Sequence, residues 1–278
     1  MKTLLSVAMV STLLLTVNLY AEPIKVLYLT KSSGFEHSVV KRDNNQLSYS
    51  EKILTELGSK YGWQVECTKD ASKINAENLK NYQVVIFYTS GDLTQAGTDA
   101  QPPMKPSGEQ ELLQWIQDGG GFIGIHSAND SFHSQGDTIS NYVKMLGGEF
   151  KTHANQFKGK IEVVSKGHSA LGNFPDTWET TEEWYVMKNT NKETMHVLAL
   201  LNPGEEREKQ EVYNIPSYPI IWCSSNGKGR VVYNGLGHRE DVWDSKEFQE
   251  LLKANITWAS GQGPAQTDPN YDKVVPQK

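Results

Sequence analysis

Apolar positions in the chain fall into short, unalternating runs separated by stretches of helical period. "IKVLYLT" (Ile24 to Thr30), "WQVECT" (Trp63 to Thr68), "YQVVIFYTS" (Tyr82 to Ser90) and the strand from Gly121 to Ile125 read as strands covered on both faces. Between the first two, Ser48 to Tyr61 puts Ile53, Leu54 and Leu57 on one helix face. "SGEQELLQWIQDGG" predicts a second helix, opened by a capping box of Ser107 and Gln110 and ended at Gly119. A strand, helix, strand rhythm from residue 24 to about 126 predicts an α/β fold: a doubly wound, mostly parallel sheet with helices on both faces.

The texture then changes. A short helix is expected near Ile139 to Leu146, followed by strands at Lys160 to Val164, His196 to Leu201, Ile220 to Ser224 and Arg230 to Asn234. The final helix, "SKEFQELLKANITWAS", offers Phe248, Leu251, Leu252, Ile256 and Trp258 to the sheet. Residues 261–278 are polar and rich in Pro and Gly, so a C-terminal tail is expected there. Residues 22–260 form one domain on this reading, with no internal repeat.

"MKTLLSVAMVSTLLLTVNLYA", residues 1–21, has an early lysine, a short apolar core and a small residue at its end, the pattern of a secretory signal. Export, to a bacterial periplasm, and no membrane attachment after cleavage are the expectations. Without Lys2 the formal charge moves from −6 to −7. An acidic chain without a basic cluster argues against nucleic acid as partner. Cys67 and Cys223, far apart in apolar segments, read as two buried thiols rather than a disulfide. The oligomeric state has no signature in the sequence.

Candidate chemistry concentrates at strand ends. In an open α/β sheet, ligands gather outside the carboxyl ends of the strands. His126 follows the strand Gly121 to Ile125, His37 ends the loop after the first strand, and His238 ends "GRVVYNGLGH" after another apolar run. Three imidazoles at such positions, among seven histidines in all, suggest a functional cluster.

"VLYLTKSSGFEHS", "GGGFIGIHSANDSF", "MLGGEFKTHANQF", "TEEWYVM" and "GRVVYNGLGH", in this order, resemble the trehalose-utilization (ThuA-like) family over about residues 24 to 260. The resemblance implies a flavodoxin-like fold related to class I glutamine amidotransferases. Those enzymes carry a cysteine nucleophile at a sharp turn in a Gly-x-Cys-x-Gly pattern. The corresponding segment here is Gly124, Ile125, His126, Ser127, Ala128, with histidine in the nucleophile's place. Lacking a thiolate there, the chain has no acyl-enzyme route for glutamine.

The same resemblance implies further site residues. His153 matches a family histidine. His168 lies in "GHSALGNFP", where Ser169 replaces the family's proline. Glu182, Glu183, Trp184 and Tyr185 match an Asp-Glu-x-Tyr element. The family's implied context is disaccharides and sugars oxidised to a keto form.

Histidine exchanges protons near neutrality. His126, His37 and His238 are therefore the catalytic candidates, with Glu183 to orient an imidazole and Tyr185 to hydrogen-bond an oxyanion. His153, His168, Asn129, Asp130, Trp184 and Arg239 are the substrate-binding candidates, with Trp178, Trp243 and Asp241 as further groups able to meet a sugar. A bound divalent metal such as zinc is possible, with His37, His126, His153 and His238 as candidate ligands, although the chain has no HExxH, HxH or CxxC. Two functions stay open: an exported carbohydrate-processing hydrolase or lyase working by histidine acid/base elimination or hydrolysis, and a non-catalytic periplasmic carbohydrate-binding protein.

Overall fold

A computed structural model describes residues 22–44 and 46–277. The leader expected over residues 1–21 lies outside the described residues. The strands are β1 (Lys25–Leu29), β2 (Gln64–Thr68), β3 (Val84–Phe87), β4 (Gly121–Ile125), β5 (Glu149–Thr152), β6 (Phe157–Val163), β7 (Thr177–Glu182), β8 (Val186–Lys188), β9 (His196–Asn202), β10 (Tyr218–Asn226) and β11 (Gly229–Asn234). Nine of them form one mixed sheet in the order β2-β1-β3-β4-β11-β10-β9-β6-β7, and β5 pairs with β8 in a separate ribbon.

The expected doubly wound α/β architecture is the one found. From β2 to β11 neighbours are parallel, and from β11 to β7 they are antiparallel. Alternation over the antiparallel half turns β7 in the same sense as β11. The carboxyl ends of β1, β4, β11 and β7 therefore rise on one edge.

Alternate residues of the central strands feed two cores. Val26, Tyr28, Ile123 and Ile125 pack with Leu54, Phe248, Leu251 and Leu252. Leu27, Leu29, Phe87 and Phe122 pack on the opposite face with Leu112, Ile116, Tyr142 and Leu146. Burial on both faces explains the unalternating apolar runs. Helix Tyr49–Tyr61 starts at a complete capping box of Ser48 and Glu51 and stops at Gly62, whose φ of 74° is left-handed. The box expected at Ser107 does not form, because Ser107 itself takes a helical backbone and its side chain caps no amide.

Beyond Gly261 the polar segment is tied to the domain. Trp258 Nε1 donates to the carbonyls of Pro264 and Ala265 at 3.0 and 3.1 Å, His196 Nδ1 donates to the Asp268 carbonyl at 2.6 Å, and Asn270 Oδ1 accepts the Val197 amide at 2.7 Å. Both cysteines are free thiols. Burial pushes Cys67 up to about 12 and raises Cys223 as well. Among the described residues no helix is long and apolar enough to cross a membrane.

Candidate functional site

His126 is placed by a strained turn. Strand β4 ends at Ile125, a 3₁₀ turn begins at His126, and His126 itself takes φ 44°. A non-glycine residue in that region projects its side chain sharply off the strand end, as a nucleophile elbow does. Gly124 is required beside it: a Cβ there would stand 2.9 Å from Leu146 Cδ1 and 3.1 Å from Ala128 Cβ. Tyr233 Oη donates to the His126 carbonyl at 2.8 Å and fixes the turn from β11.

The loop after β1 carries His37, and buried ionic contacts hold that loop. Lys31 Nζ donates to Asp99 at 3.0 Å and to the carbonyls of Ala96 and Gln101 at 2.7 and 2.9 Å. His238 is held through its backbone. Glu182, wholly buried at the end of β7, accepts the amides of Gly237 and His238 at 2.6 and 2.9 Å. Gly237, at φ 109°, gives its carbonyl to Trp243 Nε1 at 2.7 Å and Tyr88 Oη at 3.1 Å. Burial pushes the Glu182 carboxyl up to about 7.

These supports bring His37, His126, Glu183 and His238 together, with one ligand-type atom from each lying within 4.8 Å of the others. Glu183 Oε2 is 3.1 Å from His238 Nδ1, 3.4 Å from His126 Nε2 and 3.8 Å from His37 Nε2. His238 Nδ1 and His126 Nε2 are 3.3 Å apart. A tetrahedral zinc ion with bonds of about 2.0–2.1 Å has ligand edges of about 3.3 Å, so the spacing suits such an ion.

Protonation suits it too. Desolvation by burial lowers His37 and brings His126 down to about 3, so both imidazoles stay neutral at working pH. Burial raises Glu183, but the close imidazoles of His126, His238 and His37 outweigh it and hold the carboxyl far below its usual range. His126 Nδ1 donates to the Gly235 carbonyl at 3.4 Å, which leaves the Nε2 lone pair facing the cluster. Tyr185 Oη lies 3.3 Å from His37 Nε2, and the buried Nδ1 of His37 has no partner.

The expected residues divide clearly. His37, His126, His238, Glu183 and Tyr185 meet. His153 is not a fourth histidine of the cluster: it stands at the rim, with Nδ1 3.3 Å from the other oxygen, Oε1, of Glu183. Glu183 takes the fourth place.

His168 lies elsewhere. It packs on Trp258, its Nδ1 accepts the Ala170 amide at 3.1 Å and its Nε2 donates to the Gln266 carbonyl at 3.0 Å. Trp184 is wholly buried against Phe157, whose carbonyl accepts its Nε1 at 2.9 Å, so it has no free face for a sugar. Trp243 and Asn129 are also fully buried. Asp130 is engaged at 2.7 Å by His133, which bridges to Glu149 at 2.8 Å.

Arg239 is at the surface. Its Nη1 donates to Gln156 Oε1 at 2.9 Å and its fork grips both oxygens of Asp241 at 2.9 Å. Gln156, which sequence reasoning passed over, also places Nε2 at 2.9 Å from His238 Nε2. Its one sequence signal is a place three residues after His153 in the "THANQF" stretch.

Residues 25–259 match the ThuA family, described as trehalose utilisation. The chain belongs to the ThuA family. Solved ThuA-like proteins share the architecture. One from Bacteroides uniformis has a TM-score of 0.69 at 22% identity, over 91% of this chain and 98% of that one. Another, from Parabacteroides merdae, has a TM-score of 0.64 at 17% identity, over 92% and 98%. A cytoplasmic protein from Salmonella typhimurium follows the same fold at a TM-score of 0.54 and 14% identity, over 85% and 99%. Comparison with curated proteins gives no match.

Proposed function

We propose that the protein is an exported carbohydrate-processing enzyme acting on a disaccharide or its keto derivative at a divalent-metal centre formed by His37, His126, Glu183 and His238. One observation carries this reading: three imidazoles and a carboxylate converge within 4.8 Å at the edge where an α/β sheet binds ligands. A divalent ion there would act as a Lewis acid toward a sugar carbonyl or hydroxyl oxygen. ThuA membership supports the sugar.

The surrounding residues support a division of labour. His126 is too far depressed by burial to serve as a base near neutrality and acts as a ligand. His153 is the exposed imidazole, with a side chain 39% accessible beside Glu183, and takes the proton. Burial holds the Tyr185 phenol well above its ordinary value, so it remains a donor for an oxyanion.

A ketone at C3 acidifies the C2 proton. The C2–H pair becomes the C1–C2 double bond as the C1–O bond breaks, and the departing oxygen takes up a proton. Water then adds OH to C1 and H to C2, so the sum is hydrolysis without redox change.

The test is a proton NMR time course with trehalose and its 3-keto derivative, with and without chelator, alongside metal analysis of the purified protein. New anomeric signals are expected, lost in His126→Ala together with the metal. In His153→Ala the rate should fall by about 10²–10⁴ with metal retained. Broadened sugar signals without a new species would replace this reading by the binding protein. Export rests on residues 1–21, and the mass of the protein from the periplasmic fraction should show their removal.

A further inference from the structure

The four-group centre leaves two unlike walls beside it unexplained. Next to His238 a cleft of about 530 Å³ opens between Ser38, Tyr49, Gln156, His238, Arg239 and Asp241. Its polar groups are pre-positioned: Gln156 joins His238 to Arg239, Arg239 is locked on Asp241, and Tyr49 Oη donates to Asp244 at 2.6 Å.

Against His37 stands Phe35, the most exposed large apolar side chain among the described residues, at 67%. The loop that carries it is held, because Ser90 Oγ donates to the Phe35 carbonyl at 2.7 Å and the amides of Ser33 and Gly34 donate to the Ser90 carbonyl. The ring meets His37 edge to face, with centroids 4.9 Å apart. The loop therefore holds an exposed aromatic face in a fixed place beside a buried imidazole.

A hexose has a hydroxyl rim and an apolar C–H face, and the two walls match those two chemistries. We propose that they are two sugar subsites: Phe35 covers the apolar face of one ring, Gln156, Arg239 and Asp241 engage the hydroxyls of the other, and the linkage between the rings lies over His37 and His238. This rests on the carbohydrate reading above and adds the residues that make a disaccharide, rather than a monosaccharide, the preferred ligand.

The experiment is titration calorimetry with saturation-transfer NMR on the metal-loaded protein, using trehalose, its 3-keto derivative and glucose as probes. The wild type should bind the disaccharides more tightly than glucose. Phe35→Ala should weaken disaccharide binding by about 2- to 10-fold, the worth of an aromatic contact, with glucose affinity and metal content unchanged. Phe35→Trp should retain it.

Gln156→Ala should weaken glucose and disaccharides alike, by about tenfold for the two lost hydrogen bonds. If the wild type binds sugar and Phe35→Ala leaves the disaccharide-to-glucose ratio unchanged, the subsite assignment falls and the carbohydrate reading stands. If the wild type binds none of the three probes, both fall together.

Discussion

Replacing Asp99 by alanine should unsettle the loop that presents His37 and Phe35. Lys31 and Asp99 are both buried, with side chains 0% and 2% accessible, and their charged atoms are 3.0 Å apart. Asp99 also accepts the amides of Ser32 and Gln101 at 2.7 and 3.0 Å and stands 3.6 Å from Lys69. Alanine would leave one buried ammonium facing only carbonyls, with Glu36 as the remaining anion of the group, 3.0 Å from Lys69.

Breaking a buried pair from one side costs about 3–5 kcal/mol. For a domain of this size, at roughly 2–4 °C per kcal/mol, that is a fall in melting temperature of roughly 6–20 °C. Urea unfolding followed by tryptophan fluorescence measures the change directly. Lys31→Met in the Asp99→Ala background should recover most of the loss, because the orphaned charge is then gone. A loss below about 1 kcal/mol for Asp99→Ala would mean that water reaches the ammonium, and the argument for a rigid loop would fail.

Stability should peak near neutrality. Burial lowers His37 and His126, so the native state resists their protonation and stability should rise with pH up to their ordinary value of 6.5. Asp130 and Glu149 raise His133, a contribution complete below 6.5 and lost as pH climbs through its folded value. Glu149, brought to about 2 by Ser134, His133, Asn189 and Lys188 against desolvation, contributes above 4.5 and loses that contribution as pH falls toward 2. Urea midpoints from pH 4 to 9 check the shape, and His133→Gln should flatten the decline on the alkaline side; an unchanged slope there would remove His133 from the account. Ending the chain at Gly261 removes the partners of Trp258, His196 and Val197, at about 0.5–1.5 kcal/mol for each hydrogen bond. That truncation should lower the urea midpoint, and an unchanged midpoint would mean that the segment beyond Gly261 adds nothing to stability.

Much of the centre could be read from sequence because one rule governs it. His37, His126 and His238 follow parallel strands, and such strands deliver their ends to a common edge whatever their order. Glu183 came through the family resemblance. What could not be read was the path of "TEEWYV". That stretch pairs with β6 only up to Glu182, then leaves the ladder, so Glu182 turns wholly inward to hold backbone amides and Trp184 enters the core.

A charged residue inside a strand end normally signals solvent, and nothing local marks Glu182 as a clamp for residues 237 and 238. Phe35 and Gln156 gave only a weak signal, an aromatic and an amide in polar loops near histidines. Their significance depends on which loops lie side by side. His168, Trp258 and the segment beyond Gly261 show the same limit, since composition alone reports polarity and not docking.

The groups of the centre are spread from residue 37 to residue 238. No local folding event assembles them. The parallel and antiparallel halves of the sheet must both form and meet at β11, against the loop-closure entropy of such remote contacts, before the fourth group arrives. The intact cluster is therefore a reporter of completed topology. An amino-terminal half would carry His37 and His126 and a carboxyl-terminal half Glu183 and His238, and neither would have the chemistry of the whole.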